Sequence, residues 1–134
     1  SELKENADKR NITVSLSGGE TKIHAVNRLV YEIVYNLIDN SVKYNNDGGR
    51  IDISVEKRGD AAVFEIADTG IGIPAEAQSH IFERFYRVDK SRSRAIGGTG
   101  LGLAIVKHAA NYLGAVIRLD SEPNRGTKIT VEFK

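Results

Sequence analysis

RIDISVEKRGDAAVFEIAD, residues 50–68, alternates apolar and polar side chains on both sides of a break at Arg58-Gly59-Asp60. Side chains two apart share a face of an extended chain, so residues 50–57 and 61–68 read as the two strands of a hairpin. In the first strand Ile51, Ile53 and Val55 share one face, and Asp52, Ser54 and Glu56 share the other. Near the end of the chain Ile129, Val131 and Phe133 repeat the scheme. A sheet with one wet side needs covering on the other side only. With hairpins and a few helices, this predicts an α/β fold of the two-layer sandwich type rather than a doubly wound one.

Outward from the hairpin the other elements follow by the same reasoning. ITVSL, residues 12–16, alternates and is followed by the turn signal SGGE and a short TKIHA run, which predicts two short strands. From 26 to about 44 the spacing turns helical, with Leu29, Val30, Ile33, Leu37, Ile38 and Ser41 on one broad face and NNDGG as the stop. Residues 74–98 are irregular, with a short helix predicted over 75–81 and a basic stretch after it. A second helix is predicted over about 100–113, stopped by Gly114, and AVIRLD and TKITVEF give two more strands.

Composition bounds the function. A chain of 134 residues is the size of one domain, and 19 basic against 18 acidic residues leave a formal charge of +1. That balance points away from a nucleic-acid or membrane-surface partner and towards a small-molecule ligand. With no Cys there are no disulfides, thiolate metal sites or Cys nucleophile. The apolar runs are far shorter than a membrane span, so the expected setting is cytoplasmic, without membrane contact by this segment. The start, SELKENADKR, is charged and helix-compatible, so residues 1–10 are expected to be the remnant of a linker within a longer protein.

Three stretches carry chemistry. On the first long helix Glu32, Asn36, Asn40, Lys43 and Tyr44 form one polar stripe at about 100° per residue, bordering the apolar face. Asparagine is a mediocre helix former, so two of them beside a core want a reason. An amide oxygen is a good hard ligand for Mg²⁺ and a nearby Lys offsets phosphate charge; the alternative is a solvated helix face. In EIADTGIGIP, Asp68 shares a face with Phe64 and Ile66, so a carboxylate ends an inward apolar row, a costly placement unless it has a partner. Ionised, it only accepts hydrogen bonds, which suits the exocyclic amine of adenine, and Gly70 and Gly72 keep the wall low enough for a flat ring. The alternative is an Asp capping a tight turn. In GGTGLGLAIVK, residues 97–107, Gly97, Gly98, Gly100 and Gly102 precede an apolar helix, giving either a flexible joint or an anion cradle at the helix start. It is neither a Walker loop nor a dinucleotide fingerprint.

Taken together these segments closely resemble the catalytic, ATP-binding domain of bacterial sensor histidine kinases, within the superfamily shared with DNA gyrase, heat-shock chaperones and mismatch-repair ATPases. YEIVYNLIDNSVKYN resembles that family's N box, DTGIGIP its G1 box, IFERFYRVDKSRS its F box, GGTGLGLAIVK its G2 box and RGTKI its last glycine motif. The resemblance implies a Bergerat-type ATP-binding fold, a mixed and mostly antiparallel sheet covered on one face by helices, with residues 74–98 as the ATP lid. It also implies that Asn36 supplies a Mg²⁺ ligand, that Asn40 and Lys43 meet phosphate oxygens, and that Tyr44 flanks the nucleotide. Asp68 would accept from the adenine amine, with Gly70, Gly72 and Ile73 bordering the base. Gly98, Thr99, Gly100, Leu101 and Gly102 would offer backbone to the phosphates, and Thr127 would sit near the base. Glu32 matches the acid that activates water in the gyrase-like branches and would have a supporting catalytic role here.

The lid's composition suits a moving cover. Phe82 and Phe85 are expected to anchor it by burying their rings, and Arg87 is the candidate for the γ-phosphate, with Arg84 and Lys90 adding charge and Arg92 and Arg94 reading as a solvated basic loop. None of His24, His80 or His108 stands in the pattern of a phosphoryl-accepting histidine, so the segment is expected to bind ATP without labelling itself. The expected activity is that of a protein-histidine kinase catalytic domain. Its substrate would be Mg-ATP, its partner a dimerising helical domain carrying the histidine, and its downstream acceptor a response regulator. The isolated domain is expected to be monomeric. The alternatives are a protein-serine kinase of the anti-sigma-factor type and a nucleotide-binding regulatory module without transfer.

Overall fold

The computed structural model describes residues 2–17, 27–86 and 101–133. In chain order the elements are α1 (Glu2–Lys9), β1 (Thr13–Ser17), α2 (Asn27–Lys43), β2 (Arg50–Arg58), β3 (Ala61–Asp68), α3 (Ala75–Gln78), α4 (Gly102–Leu113), β4 (Val116–Glu122) and β5 (Gly126–Phe133). The strands form one sheet in the order β1-β2-β3-β5-β4. β1 runs parallel to β2 and the other pairs are antiparallel, so the sheet is mixed and mostly antiparallel. The expected strand at TKIHA, with His24, lies outside the described residues.

The alternation decides which face is dry. Ile51, Ile53, Phe64, Ile66, Ile129 and Val131 meet Ile33 and Leu37 of α2 and Val106, Ala109 and Ala110 of α4 in one buried cluster. Each Ile or Leu buried in this way contributes roughly 1.5–3 kcal/mol. On the opposite face the strands carry charge, with Lys128 paired to Glu65 at 2.6 Å and Arg118 to Glu132 at 3.1 Å. α2 and α4 lie against each other on the dry side.

The ends of the two long helices are fixed differently. α4 stops at Gly114, whose φ of 70° lets its N–H turn back to the carbonyls of Ala110 and Asn111. α2 stops against Arg10, whose Nε donates to Asp47 Oδ1 at 2.8 Å and whose other N–H groups donate to the carbonyls of Val42, Lys43 and Asn45. A cation at the last turn also suits the negative end of the helix dipole. Ala7 and Ile12, on either side of Arg10, are buried in the core.

After β3 the expected anchor is displaced. The short helix covers only Ala75–Gln78, not residues up to 81. Phe85 does not bury its ring: it is 65 % exposed, with a left-handed φ of 62°. Phe82 is half-buried, and Ala77 and Ile81 hold this segment down instead, at 3 % and 6 % exposure. A pattern of aromatics marks bulk, but the side chain that meets the core is set by how the chain turns. α4 likewise begins at Gly102, two residues later than the apolar spacing predicts.

Candidate functional site

The polar stripe on α2 lies at the edge of the core. Glu32, Asn36, Asn40, Lys43 and Tyr44 are all half-buried, whereas Arg28 and Tyr31 on the same helix are exposed. A plainly solvated face would leave the whole stripe exposed, so the stripe packs partly against the rest of the fold. Its two ends meet two different parts of the fold.

At one end is Asp68, the last residue of β3. It pairs with Thr127 across β5 and Ile51 across β2. Burial pushes the Asp68 carboxyl above its ordinary value of 3.8, against hydrogen bonds from the Gly70 N–H, the Ser41 hydroxyl and the Thr127 N–H that favour the charged form. The Gly70 bond measures 2.9 Å. Ser41, 5 % exposed, had been placed by its spacing on the apolar face of α2. Its spacing is right, and its hydroxyl earns the place by reaching the carboxylate.

The wall beyond Asp68 depends on missing side chains. A Cβ on Gly70 would fall 2.4 Å from the Tyr44 carbonyl oxygen, and one on Gly72, at φ +71°, would fall 1.9 Å from that of Glu122. These close approaches bring the loop onto α2 at one side and onto the β4–β5 turn at the other. Ile71 N–H donates to the Tyr44 carbonyl at 3.1 Å, and Ile73 N–H donates to Ser121 Oγ at 2.9 Å. Asn45, 0 % exposed, ties the same corner: its Nδ2 donates to the Arg50 carbonyl and its Oδ1 accepts from Thr69 Oγ1 at 3.3 Å. The sequence does not single out Asn45, whose role comes from partners on β2 and the loop after β3.

At the other end Asn36 faces the start of α4. Its Nδ2 donates to the Glu32 carbonyl at 2.7 Å, which turns Oδ1 outward, and a Cβ on Gly102 would lie 3.3 Å from that oxygen. A carbonyl oxygen held this way fits a hard cation, whose ligands are oxygens. α4 opens at Leu101 without a side-chain cap, the arrangement in which helix amides can serve an anion. Lys43 is paired with Asp39, Nζ to Oδ2 at 3.0 Å, a partner the sequence reading did not name. Arg87, Gly98, Thr99 and Gly100 lie outside the described residues. His80 and His108 are exposed.

Along α2, Asn36 and Ser41 are five residues apart, or about 7.5 Å at 1.5 Å per residue. One helix therefore lines both the carboxylate end, through Ser41, and the end formed by Asn36 and Gly102. Residues 25–134 match the family model described as histidine kinase-, DNA gyrase B-, and HSP90-like ATPase. The chain belongs to this family. Family membership carries ATP binding.

The curated relatives include the sensor-like histidine kinase SenX3 of Mycolicibacterium smegmatis, 50 % identical over 106 residues, covering 78 % of this chain and 27 % of that protein. The sensor histidine kinase RppB of Synechocystis is 40 % identical over 92 % of this chain and 27 % of its own length. ArlS of Staphylococcus haemolyticus, a signal transduction histidine-protein kinase, is 46 % identical over 81 % of this chain and 24 % of its own. The chain thus spans about a quarter of the length of these relatives. Among solved structures, the mycobacterial sensor histidine kinase MprB superposes with a TM-score of 0.83 at 28 % identity, covering 98 % of this chain and 89 % of that one. Full-length ShkA in complex with AMPPNP gives 0.82 at 26 % identity, covering 98 % of this chain and 27 % of that one. Among the described residues no helix is long and apolar enough to cross a membrane.

Proposed function

We propose that this domain binds Mg-ATP and donates the γ-phosphoryl group to a histidine on a dimerising helical domain of a two-component sensor kinase. One observation supports the reading most: α2 joins an acceptor-bearing end at Asp68 to a cation- and anion-suited end at Asn36 and Gly102. Adenine's exocyclic amine donates to the Asp68 carboxylate, and Gly70, Gly72 and Ile73 flank the ring beside Thr127. Tyr44 borders the nucleotide where its backbone meets Gly70 and Ile71.

Asn36 would hold the magnesium ion through Oδ1, and that ion, when bound, offsets phosphate charge. Asn40, Lys43 and the amides of Leu101 and Gly102 meet phosphate oxygens, with Gly98, Thr99, Gly100 and Arg87 assigned to the same end. Glu32 supports Asn36, accepting its Nδ2 through the backbone carbonyl. Phosphoryl transfer asks a protein mainly for positioning and charge neutralisation. A ring nitrogen of the partner histidine bonds to the γ-phosphorus as the bond from that phosphorus to the bridging oxygen breaks, and ADP leaves. A response regulator then receives the group. Residues 1–10 form the connection towards the partner domain, and residues 74–98 the lid.

The test mixes the chain with a separately prepared dimerising helical hairpin bearing the acceptor histidine, and with γ-labelled ATP. Acid-labile label on histidine is the expected result. Label on serine moves the protein to the neighbouring serine-kinase branch. Nucleotide binding with no transfer to any matched hairpin makes it a regulatory module.

A further inference from the structure

We infer that Ser121, on β4, makes the base pocket prefer a 6-aminopurine over a 6-oxopurine by holding the Thr127 hydroxyl as a hydrogen-bond acceptor. The inference deepens the ATP-binding reading proposed above and rests on it.

Ser121 Oγ has three polar neighbours, each at 2.9 Å: the Ile73 N–H, the Gly126 carbonyl oxygen and Thr127 Oγ1. A hydroxyl has one proton and two acceptor positions. The Gly126 carbonyl only accepts, so it takes the Ser121 proton. The Ile73 N–H only donates, so it uses one lone pair. What remains towards Thr127 is a lone pair, and the proton of that third bond therefore comes from the Thr127 hydroxyl.

With that proton committed, Thr127 Oγ1 has only lone pairs left to offer. Its backbone N–H is turned towards the Asp68 carboxylate, whose residue pairs with it across β3 and β5, and favours that group's charged form. The pocket's base end then presents an ionised carboxylate beside a hydroxyl that can only accept. An exocyclic amine has protons for both. A 6-oxo group brings lone pairs against lone pairs and leaves buried acceptors unmatched, which is how a polar site rejects a near-isostere.

Ser121 is itself held in register. Gln78 Nε2 donates to the carbonyls of both Ile73 and Ser121 at 3.0 Å, joining α3 to β4 around the hydroxyl. The close approach of Gly72 to Glu122 fixes the loop from the other side.

The test compares ATP with ITP, whose base carries a 6-oxo group and an N1–H where adenine has a 6-amino group and a bare N1, by calorimetry on the 134-residue chain. Wild type should favour ATP. In Ser121→Ala the Thr127 proton is released and can turn towards a 6-oxo group, so the ATP-to-ITP affinity ratio should fall roughly tenfold. Ser121→Thr keeps a hydroxyl and should retain the wild-type ratio. If Ser121→Ala does not fold, Ser121→Cys supplies the same reading, since a thiol is a weak donor and a weak acceptor. Equal weakening of both nucleotides, an unchanged ratio, or a wild type indifferent to the base would overturn the inference. Those results leave ATP binding intact, whereas a wild type that binds neither nucleotide overturns the proposed function as well.

Discussion

The two ends of the candidate site are built on different principles. At the Asp68 end every partner comes from a strand, a helix or a glycine-locked loop: Ser41 from α2, Thr127 from β5, the amide of Gly70, and Ser121 behind them. Along the polar stripe that runs from Asn36 to Lys43 the side chains are occupied by their own helix. Asn36 leans on the Glu32 carbonyl and Lys43 on Asp39. The first end is set before any ligand arrives, which lowers the ordering cost of binding there. On the proposed reading the second would exchange internal partners for phosphate oxygens.

Paired glycine substitutions test this difference most severely. Gly72→Ala should destabilise the domain by about 3 kcal/mol, because its φ of +71° and the 1.9 Å approach to the Glu122 oxygen leave a methyl group nowhere to go. Gly102→Ala should keep the unfolding free energy within about 1 kcal/mol of wild type, since a better helix former meets only the tip of Asn36, 3.3 Å away. Denaturant titration of both variants decides it. Equal losses would mean the Asn36 end is as rigid as the other.

Asp68→Asn separates binding from stability at the rigid end. Losing a charged acceptor and gaining a misplaced donor should weaken ATP by about 1.5–3 kcal/mol in calorimetry. The unfolding temperature should not fall, because burial already disfavours the ionised carboxyl, and the variant removes that charge. The sign with pH follows. A folded pKa above the unfolded one means the native state holds the proton more tightly, so Asp68 favours folding below the ordinary value of 3.8. That contribution is lost as pH rises through the raised folded value. ATP affinity should run the opposite way, dropping as acid protonates the acceptor, and the Asn variant should lose that dependence.

The smallest effect belongs to the adaptable end. Asp39→Asn frees Lys43 from an i,i+4 pair of the kind worth roughly 0.3–0.5 kcal/mol. Affinity for ATP should improve by about that much relative to adenosine, which lacks phosphates. An equal change for both ligands would show that the pair acts on the helix rather than on the phosphate end.

Much of this was legible in the order of residues. β3 ends at Asp68 where alternation placed it, and the same period put Phe64, Ile66 and Asp68 on one face. Helical spacing located α2 within a residue of its bounds, because a broad apolar stripe bordered by polar residues has few other uses. The parts that were not legible depend on neighbours distant in sequence. Phe85 looks like an anchor until the chain turns left-handed beneath it, and Ile81, an ordinary aliphatic, takes that work. Ser41 counted as a small residue on an apolar face, and only the arrival of β3 makes its hydroxyl a partner for Asp68. Asn45, Asp39 and Ser121 carried no periodic signal.

The guanidinium of Arg10 adds a consequence for acid conditions. An arginine keeps its charge at any pH a protein survives, and most of what Arg10 holds is main-chain carbonyl oxygen, which does not titrate either. When falling pH neutralises Asp68, the C-terminal end of α2, which Asp68 meets through Ser41, therefore stays moored by Arg10. On the proposed reading the site would release its purine while α2 stays in place, and restoring neutral pH should return a competent domain without refolding.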